Sequence, residues 1–142
     1  MDGADLAALT AFRHDLHRSP EVSGAEAETA ARVLAAIGPL NPDKVLTGLG
    51  GHGIAAIWGQ GGPSVMIRAE LDALPIQETG FVPHRSLVAG KGHLCGHDGH
   101  MAILLGLARH LQRNPPGHRV ILMFQPAEED GSGAAAVKAD PR

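Results

Sequence analysis

Aromatic residues are nearly missing: the 142-residue chain has three Phe, one Trp and no Tyr. Single-stranded nucleic acid is held by bases stacked on aromatic rings, and duplexes by clustered cations. Neither resource exists here, because no run of Lys or Arg forms a basic stripe and the net charge is −3 with His neutral. Nucleic acid is not an expected partner. Cysteine is scarcer still. Cys95 is alone, so no internal disulfide can form, and a lone Cys beside His reads as a ligand or a nucleophile. No apolar run approaches the roughly 20 residues that span a bilayer. The start, Met1-Asp2-Gly3-Ala4-Asp5, is acidic and lacks the charged-then-apolar layout of a signal peptide. A membrane is not an expected partner either, and the expected location is the cytoplasm. Internal repeats and low-complexity tracts are also lacking.

What remains is a globular composition, 44% hydrophobic and 19% charged, of a length that suits one domain with a real core. The chemistry is concentrated in one stretch, Gly92-His93-Leu94-Cys95-Gly96-His97-Asp98-Gly99-His100, which holds three histidines, an aspartate and the only cysteine. Two other polar knots flank it in sequence: Arg68-Ala-Glu70-Leu-Asp72, and Gln125-Pro-Ala-Glu128-Glu129-Asp130.

Periodicity places these knots on elements. Apolar residues recur at helical spacing over 5–19, and Ser19-Pro20 stops that helix. Ser23-x-x-Glu26 is a capping-box pattern opening a second helix to about Ile37, which Gly38-Pro39 ends. Lys44–Thr47 and Gly53–Trp58 read as short strands, a hairpin that enters a central strand Ser64–Arg68. Residues 72–95 form a long irregular loop, of a length that is usually functional or disordered. Met101, Leu104, Leu105, Ala108 and Leu111 mark the core face of a helix over 99–113. Arg119–Phe124 is a continuous apolar run, as a strand buried on both faces requires. A last helix is expected after Gly133.

The order strand 64–68, helix 99–113, strand 119–124 is a β-α-β unit, in which the two strands are normally parallel. Parallel strands bring their carboxyl ends to one edge, where ligands of open α/β sheets bind. Asp72 follows the first strand, Glu128 and Glu129 follow the second, and Cys95 and His97 precede the crossover helix. Topology thus gathers a thiolate, imidazoles and carboxylates in one crevice. Cys95 and His97 can bind one metal or adjacent metals. Of the pair Glu128 and Glu129, one can bind metal while the other stays free as a base. A divalent metal lowers the pKa of a bound water from about 15.7 to about 7, and a nearby carboxylate can take its proton. Such donors suit Zn, Co, Ni or Mn.

Singly, these residues carry less. An isolated Cys is commonly a small buried hydrophobe, and Glu128-Glu129 alone could be a solvated turn. His93 and His100 read as structural, His110 and His118 as surface residues, and Glu70 as a partner of Arg68. His14, His17 and Glu21 read as a solvated or capping group at the end of the first helix.

Four motifs in order, Leu16-His17-x-x-Pro20-Glu21, Arg68-Ala-Glu-Leu-Asp72-Ala-Leu-Pro75-Ile, His93-Leu-Cys95-Gly-His97-Asp-Gly-His100 and Phe124-Gln-Pro-Ala-Glu128-Glu129, give the chain its resemblance. It resembles the amidohydrolase branch of the dinuclear metallopeptidases, which includes hippurate hydrolases, N-acyl-amino-acid amidohydrolases and plant indole-acetyl-amino-acid hydrolases. The resemblance implies an α/β three-layer sandwich with a central, mostly parallel sheet. It implies a site for two divalent metal ions (Mn, Zn, Co or Ni), with Cys95 bridging and His97 and Glu129 as further ligands. Glu128 matches the general base, and Asp72 matches a supporting acidic residue of the catalytic group. Related peptidase branches place a His two residues before that Asp; here Glu70 stands there, and His97 supplies the imidazole instead.

The implied reaction is hydrolysis of the amide bond of a small N-acyl amino acid, by a protein expected to be a homodimer at full length. The resemblance also calls for two further His ligands, and Asp130 to Arg142 contains none. The 142 residues are therefore expected to be the N-terminal part of a catalytic domain, truncated, without the lid and dimerisation domain, and inactive by themselves. The rival expectation is a non-catalytic metal-binding or interaction module that exposes a hydrophobic sheet edge.

Overall fold

The apolar run Arg119–Phe124 takes a central place in the sheet, as a strand buried on both faces does. The computed structural model describes residues 2–142. It contains helix α1 (Gly3–Arg18), helix α2 (Ala27–Ile37) with a 3₁₀ turn at Gly38–Leu40, strands β1 (Lys44–Leu49), β2 (Gly53–Trp58) and β3 (Ser64–Glu70), helix α3 (His97–Arg113), strand β4 (Arg119–Gln125) and helix α4 (Gly133–Ala139). The strands lie in the order β1-β2-β4-β3. β3 and β4 are parallel, in register from Ser64↔Arg119 to Glu70↔Gln125, with α3 as the crossover between them.

Two expectations are corrected by this order. The β1–β2 hairpin joins β4 rather than β3, and both the β1–β2 and β2–β4 pairings are antiparallel. The sheet is therefore mixed, with one parallel pairing, rather than mostly parallel. The reason lies in composition: β3 carries Met66 and Arg68 on one face and is largely exposed at its start, so it fits an edge. β4 is almost wholly buried and displaces β3 from the hairpin. The fold class is α/β as expected.

The layers follow from strand alternation. Ile54, Ala56 and Trp58 of β2 and Val120, Leu122 and Phe124 of β4 share a core with Leu9 and Leu16 of α1, Val33 and Ile37 of α2, and Met101, Leu104, Leu105 and Ala108 of α3. Helices α1–α3 thus lie together on one face. The alternate residues Ala55 and Met123, with Leu49, form a smaller cluster against Ile121 and Val137 of α4. Among the described residues α4 is the only helix on that second face, which leaves a shallow groove of about 540 Å³ lined by Leu46, Ile57, Met66 and Ile121.

The helix starts also differ from the sequence pattern. Ser23 and Glu26 do not form a capping box: the Ser23 hydroxyl donates to Asp72 Oδ2 at 2.7 Å, and Glu26 Oε1 accepts the amides of Gly24 (3.0 Å) and Ala127 (2.8 Å). The first turn of α2 is served instead by Glu21, which accepts the Thr29 amide (2.7 Å) and hydroxyl (2.8 Å). Glu21 thus caps the start of α2 rather than the end of α1. A true capping box sits at α1, where the Asp2 side chain accepts the Asp5 amide at 2.9 Å and Asp5 returns the bond to the Asp2 amide.

Candidate metal centre

The parallel β3–β4 pair and the start of α3 bring the three polar knots together at the carboxyl edge of the sheet. Glu70 ends β3, Gln125 ends β4, and His97 opens α3. Gly96 is the N-cap of α3 at φ +94°, a backbone state that costs an L-residue about 1–2 kcal/mol and glycine almost nothing. That turn sets Cys95 and His97 toward one place. The ligand-type atoms of Cys95, His97 and Glu129 all lie within 4.8 Å of one another.

His97 is almost fully buried and held from behind. Its Nδ1 lies 2.8 Å from the main-chain oxygen of Asp72. A carbonyl only accepts, so Nδ1 carries a proton and Nε2 is the nitrogen left to face a metal. Nε2 faces Glu128 Oε2 at 3.7 Å, Glu129 Oε1 at 3.9 Å and Glu70 Oε2 at 4.0 Å. None of these is a hydrogen bond; all leave room for a cation between them. Glu129 Oε1 is buried with no hydrogen-bond partner.

Electrostatics point the same way. Burial opposes a charge on His97, but the hydrogen bonds to Asp72 and the charges of Glu70 and Asp72 outweigh it and push the imidazole up to about 9. The field that retains a proton there also favours a divalent cation, which competes for Nε2. The Cys95 thiol is exposed, yet it is pushed up by desolvation and then by Glu129, Glu128 and Glu70, so a metal would have to supply the positive charge that stabilises its thiolate.

Asp72 lies beneath the site, fully buried. Its Oδ2 accepts the Glu129 amide at 2.9 Å as well as the Ser23 hydroxyl, and Oδ1 lies 3.5 Å from His97 Nδ1. Burial favours its neutral form, yet the bonds from His97, Glu129 and Ser23 hold the carboxyl down to about 2. The residue orients both His97 and the Glu129 backbone. Glu128 is different, with a side chain 37% exposed, open to the crevice.

Glu70 also meets His97 and His100 closely enough to suggest a second donor set. Its charge is already answered, however, by Arg68 at 2.8 Å and His100 Nδ1 at 2.8 Å, and Arg68 in turn donates to Gln125 at 2.8 Å. The pairing of Glu70 with Arg68 follows the sequence reading, and His100 supports Glu70. The set Cys95, His97 and Glu129, with an unpartnered carboxylate oxygen, fits a metal better.

Sequence reasoning missed one group. His17, read as solvated or capping, is buried, with Nδ1 2.9 Å from Asp98 Oδ2 and Nε2 3.3 Å from Glu78 Oε1. His14 stacks on His84 with ring centroids 3.8 Å apart. His93 is buried with neither ring nitrogen bonded, and burial pushes it down to about 4. The signal for His17 was the long loop 72–95, whose Glu78 only tertiary contact could pair with α1.

The sequence profile described as Peptidase family M20/M25/M40 matches residues 66–140. Over 131 residues the chain is 43% identical to glutamate–cysteine ligase 2-3 of Rhodococcus jostii (strain RHA1), covering 89% of this chain and 16% of that one. It is 41% identical over 133 residues to IAA-amino acid hydrolase ILR1-like 6 of Arabidopsis thaliana (92% and 28%), and 40% identical over 139 residues to N-acetyl-L-cysteine deacetylase of Bacillus subtilis (strain 168) (93% and 32%). The chain thus spans a third or less of the length of these curated relatives. Among solved structures, the YXEP protein of Bacillus subtilis, described as a dinuclear metal-binding peptidase of the M20 family, superimposes with a TM-score of 0.91 at 37% identity. That match covers 97% of this chain and 40% of the other.

Proposed function

The chain belongs to peptidase family M20/M25/M40, and from that membership we propose that its site serves the hydrolysis of an amide bond in a small N-acyl amino acid. The observation that carries the reading is the meeting of Cys95, His97 and Glu129 donor atoms within 4.8 Å, beside a more exposed Glu128. Relatives named as an IAA-amino acid hydrolase and an N-acetyl-L-cysteine deacetylase support the substrate class.

In this reading Cys95 Sγ, His97 Nε2 and a Glu129 carboxylate oxygen would hold divalent metal; Mn, Zn, Co and Ni are the candidates. The chemistry that divalent metal would supply there is polarisation of the substrate carbonyl and acidification of water. Glu128 takes the proton of the attacking water on its carboxylate and returns it to the leaving amine nitrogen. Asp72 acts on the catalytic group only through what it orients, keeping His97 Nδ1–H occupied and the Glu129 amide in place. The chain is read as the N-terminal part of a catalytic domain, the remaining ligands and a lid and dimerisation domain belonging to a longer homodimeric, cytoplasmic protein. The share of each relative that the chain spans leaves room for them.

The test is a panel of N-acyl amino acids with added Mn, Co or Zn, using a protein that extends through the remaining family length. Glu128→Gln is expected to lower kcat by about 10²–10⁴-fold while metal content by mass spectrometry stays near that of the parent. Cys95→Ser is expected to lower metal content itself. Full turnover in Glu128→Gln would remove it as the base. Metal uptake without turnover of any substrate in the parent would favour the rival reading, a non-catalytic metal-binding or interaction module.

A further inference from the structure

His97 is held by Asp72, but the segment from Gly92 to Gly96 that carries Cys95 into it has few anchors of its own. Upstream, Gly92 and Leu74 exchange main-chain hydrogen bonds at 3.1 Å. Within the loop, His93 is buried but gives no hydrogen bond from either ring nitrogen. At its end, α3 starts on Gly96 with no side-chain cap. A loop of this kind would leave the Cys95–His97 geometry loosely determined, and metal affinity depends on how well ligands are held.

Asp98 closes that gap. It follows His97 directly, is fully buried, and reaches back to α1, where Oδ2 accepts Arg13 Nε at 3.0 Å and His17 Nδ1 at 2.9 Å. The second nitrogen of His17 faces Glu78 Oε1 at 3.3 Å, and Glu78 Oε2 accepts the Ser86 amide at 2.6 Å. One imidazole therefore ties together helix α1, the first turn of α3 and the long loop that leads to Cys95. Both carboxylates sit below their ordinary range. For Glu78 the Ser86 amide is the main cause; for Asp98 the bonds and charges from His17, His93 and Arg13 overcome the cost of burial. Each ring nitrogen of His17 thus faces one carboxylate oxygen, and the two carboxylates come from different parts of the chain.

We propose that His17 is a positioning residue for the metal centre: by bridging Asp98 and Glu78 it fixes the loop that carries Cys95 and His97, and so sets metal affinity without touching the metal. This rests on the reading of Cys95, His97 and Glu129 as ligands. None of the three contacts His17, so its effect must travel through Asp98 and the loop.

The test is a cobalt(II) titration of the same protein extended through the remaining family length, read by the thiolate-to-cobalt absorption band that reports Cys95 ligation. His17→Gln is expected to weaken cobalt binding by about 10–100-fold, the usual size of an effect on groups behind a ligand. The control is Asp5→Ala, which breaks a buried contact between the same two helices away from the loop. A merely structural His17 would make the two variants alike; here Asp5→Ala is expected to bind within about twofold of the parent at equal fraction folded. Should His17→Gln fail to fold, Glu78→Gln, which keeps shape but removes the second anchor's charge, is expected to weaken binding several-fold. Parent-like affinity in the folded one of these variants, or an equal loss in Asp5→Ala, overturns the proposal. Absence of any thiolate band in the parent overturns the ligand reading itself, a separate and recognisable failure.

Discussion

Gly96 illustrates how much of the site rests on single residues. Its φ of +94° lies where L-residues are strained, and nothing lies within 4 Å of a Cβ placed there. Gly96→Ala therefore meets a conformational penalty rather than a clash, about 1–2 kcal/mol. It is expected to lower Tm by about 3–8 °C and to weaken metal binding as the Cys95–His97 turn relaxes; calorimetry and cobalt titration would check the two effects. Unchanged values in both would mean the turn is not constrained as described. Ala127 takes a similar left-handed state at φ +48° next to Glu128, with its amide held by the buried Glu26. Backbone strain at such a position persists only where surrounding bonds over-determine it. The same Glu26 that fails to cap α2 is what secures the turn leading to Glu128 and Glu129.

At the scale of elements, α1 and α3 are joined at two levels. Near the site the join is Arg13 and His17 with Asp98. At the far end it is Asp5, buried, with Arg113 (2.9 Å) and Arg109 (3.0 Å). The Arg113 hydrogen bond, with help from Arg109, holds the Asp5 carboxyl well below the usual aspartate range. A carboxyl lowered in the folded state contributes stability that is complete above the unfolded value of about 3.9 and is lost as pH falls toward the folded value. Asp5→Asn is thus expected to lower Tm at pH 7, with the gap to the parent closing below about pH 4. Thermal melts across pH 2–8 would check it, and a gap constant over that window would contradict the ion-pair account.

At the scale of the molecule, the helix-covered face and the opposite face of the sheet are unequal. α1–α3 seal one side, whereas the second face carries α4 alone among the described residues, and β3 has a hydrogen-bonded neighbour on one side only. Val65 (46%) and Met66 (63%) are exposed on that edge, the hydrophobic edge that the sequence led us to expect. Unpaired edges with apolar side chains promote association. Met66→Lys is expected to reduce concentration-dependent self-association in sedimentation velocity while shifting Tm little, as surface changes usually do. Equal association in parent and variant would exclude this edge as its source.

The sequence determined what local pattern and connectivity suffice to specify. Strand Gly53–Trp58 stands where a short apolar run between glycine-rich segments placed it, and α3 follows its apolar periodicity. The β-α-β order forced Asp72, Cys95, His97, Glu128 and Glu129 to one edge, because a crossover helix leaves parallel strands little other choice. The tertiary structure decided what depends on competition between distant groups. β4 displaced β3 from the hairpin because burial on both faces outweighs adjacency in sequence. Ser23 and Glu26 gave up a local cap for Asp72 and Ala127, since buried polar groups claim partners first. His17 became a buried bridge rather than a solvated end, because Asp98 and Glu78, 81 and 61 residues away, each require a donor that only the packed helices bring within reach.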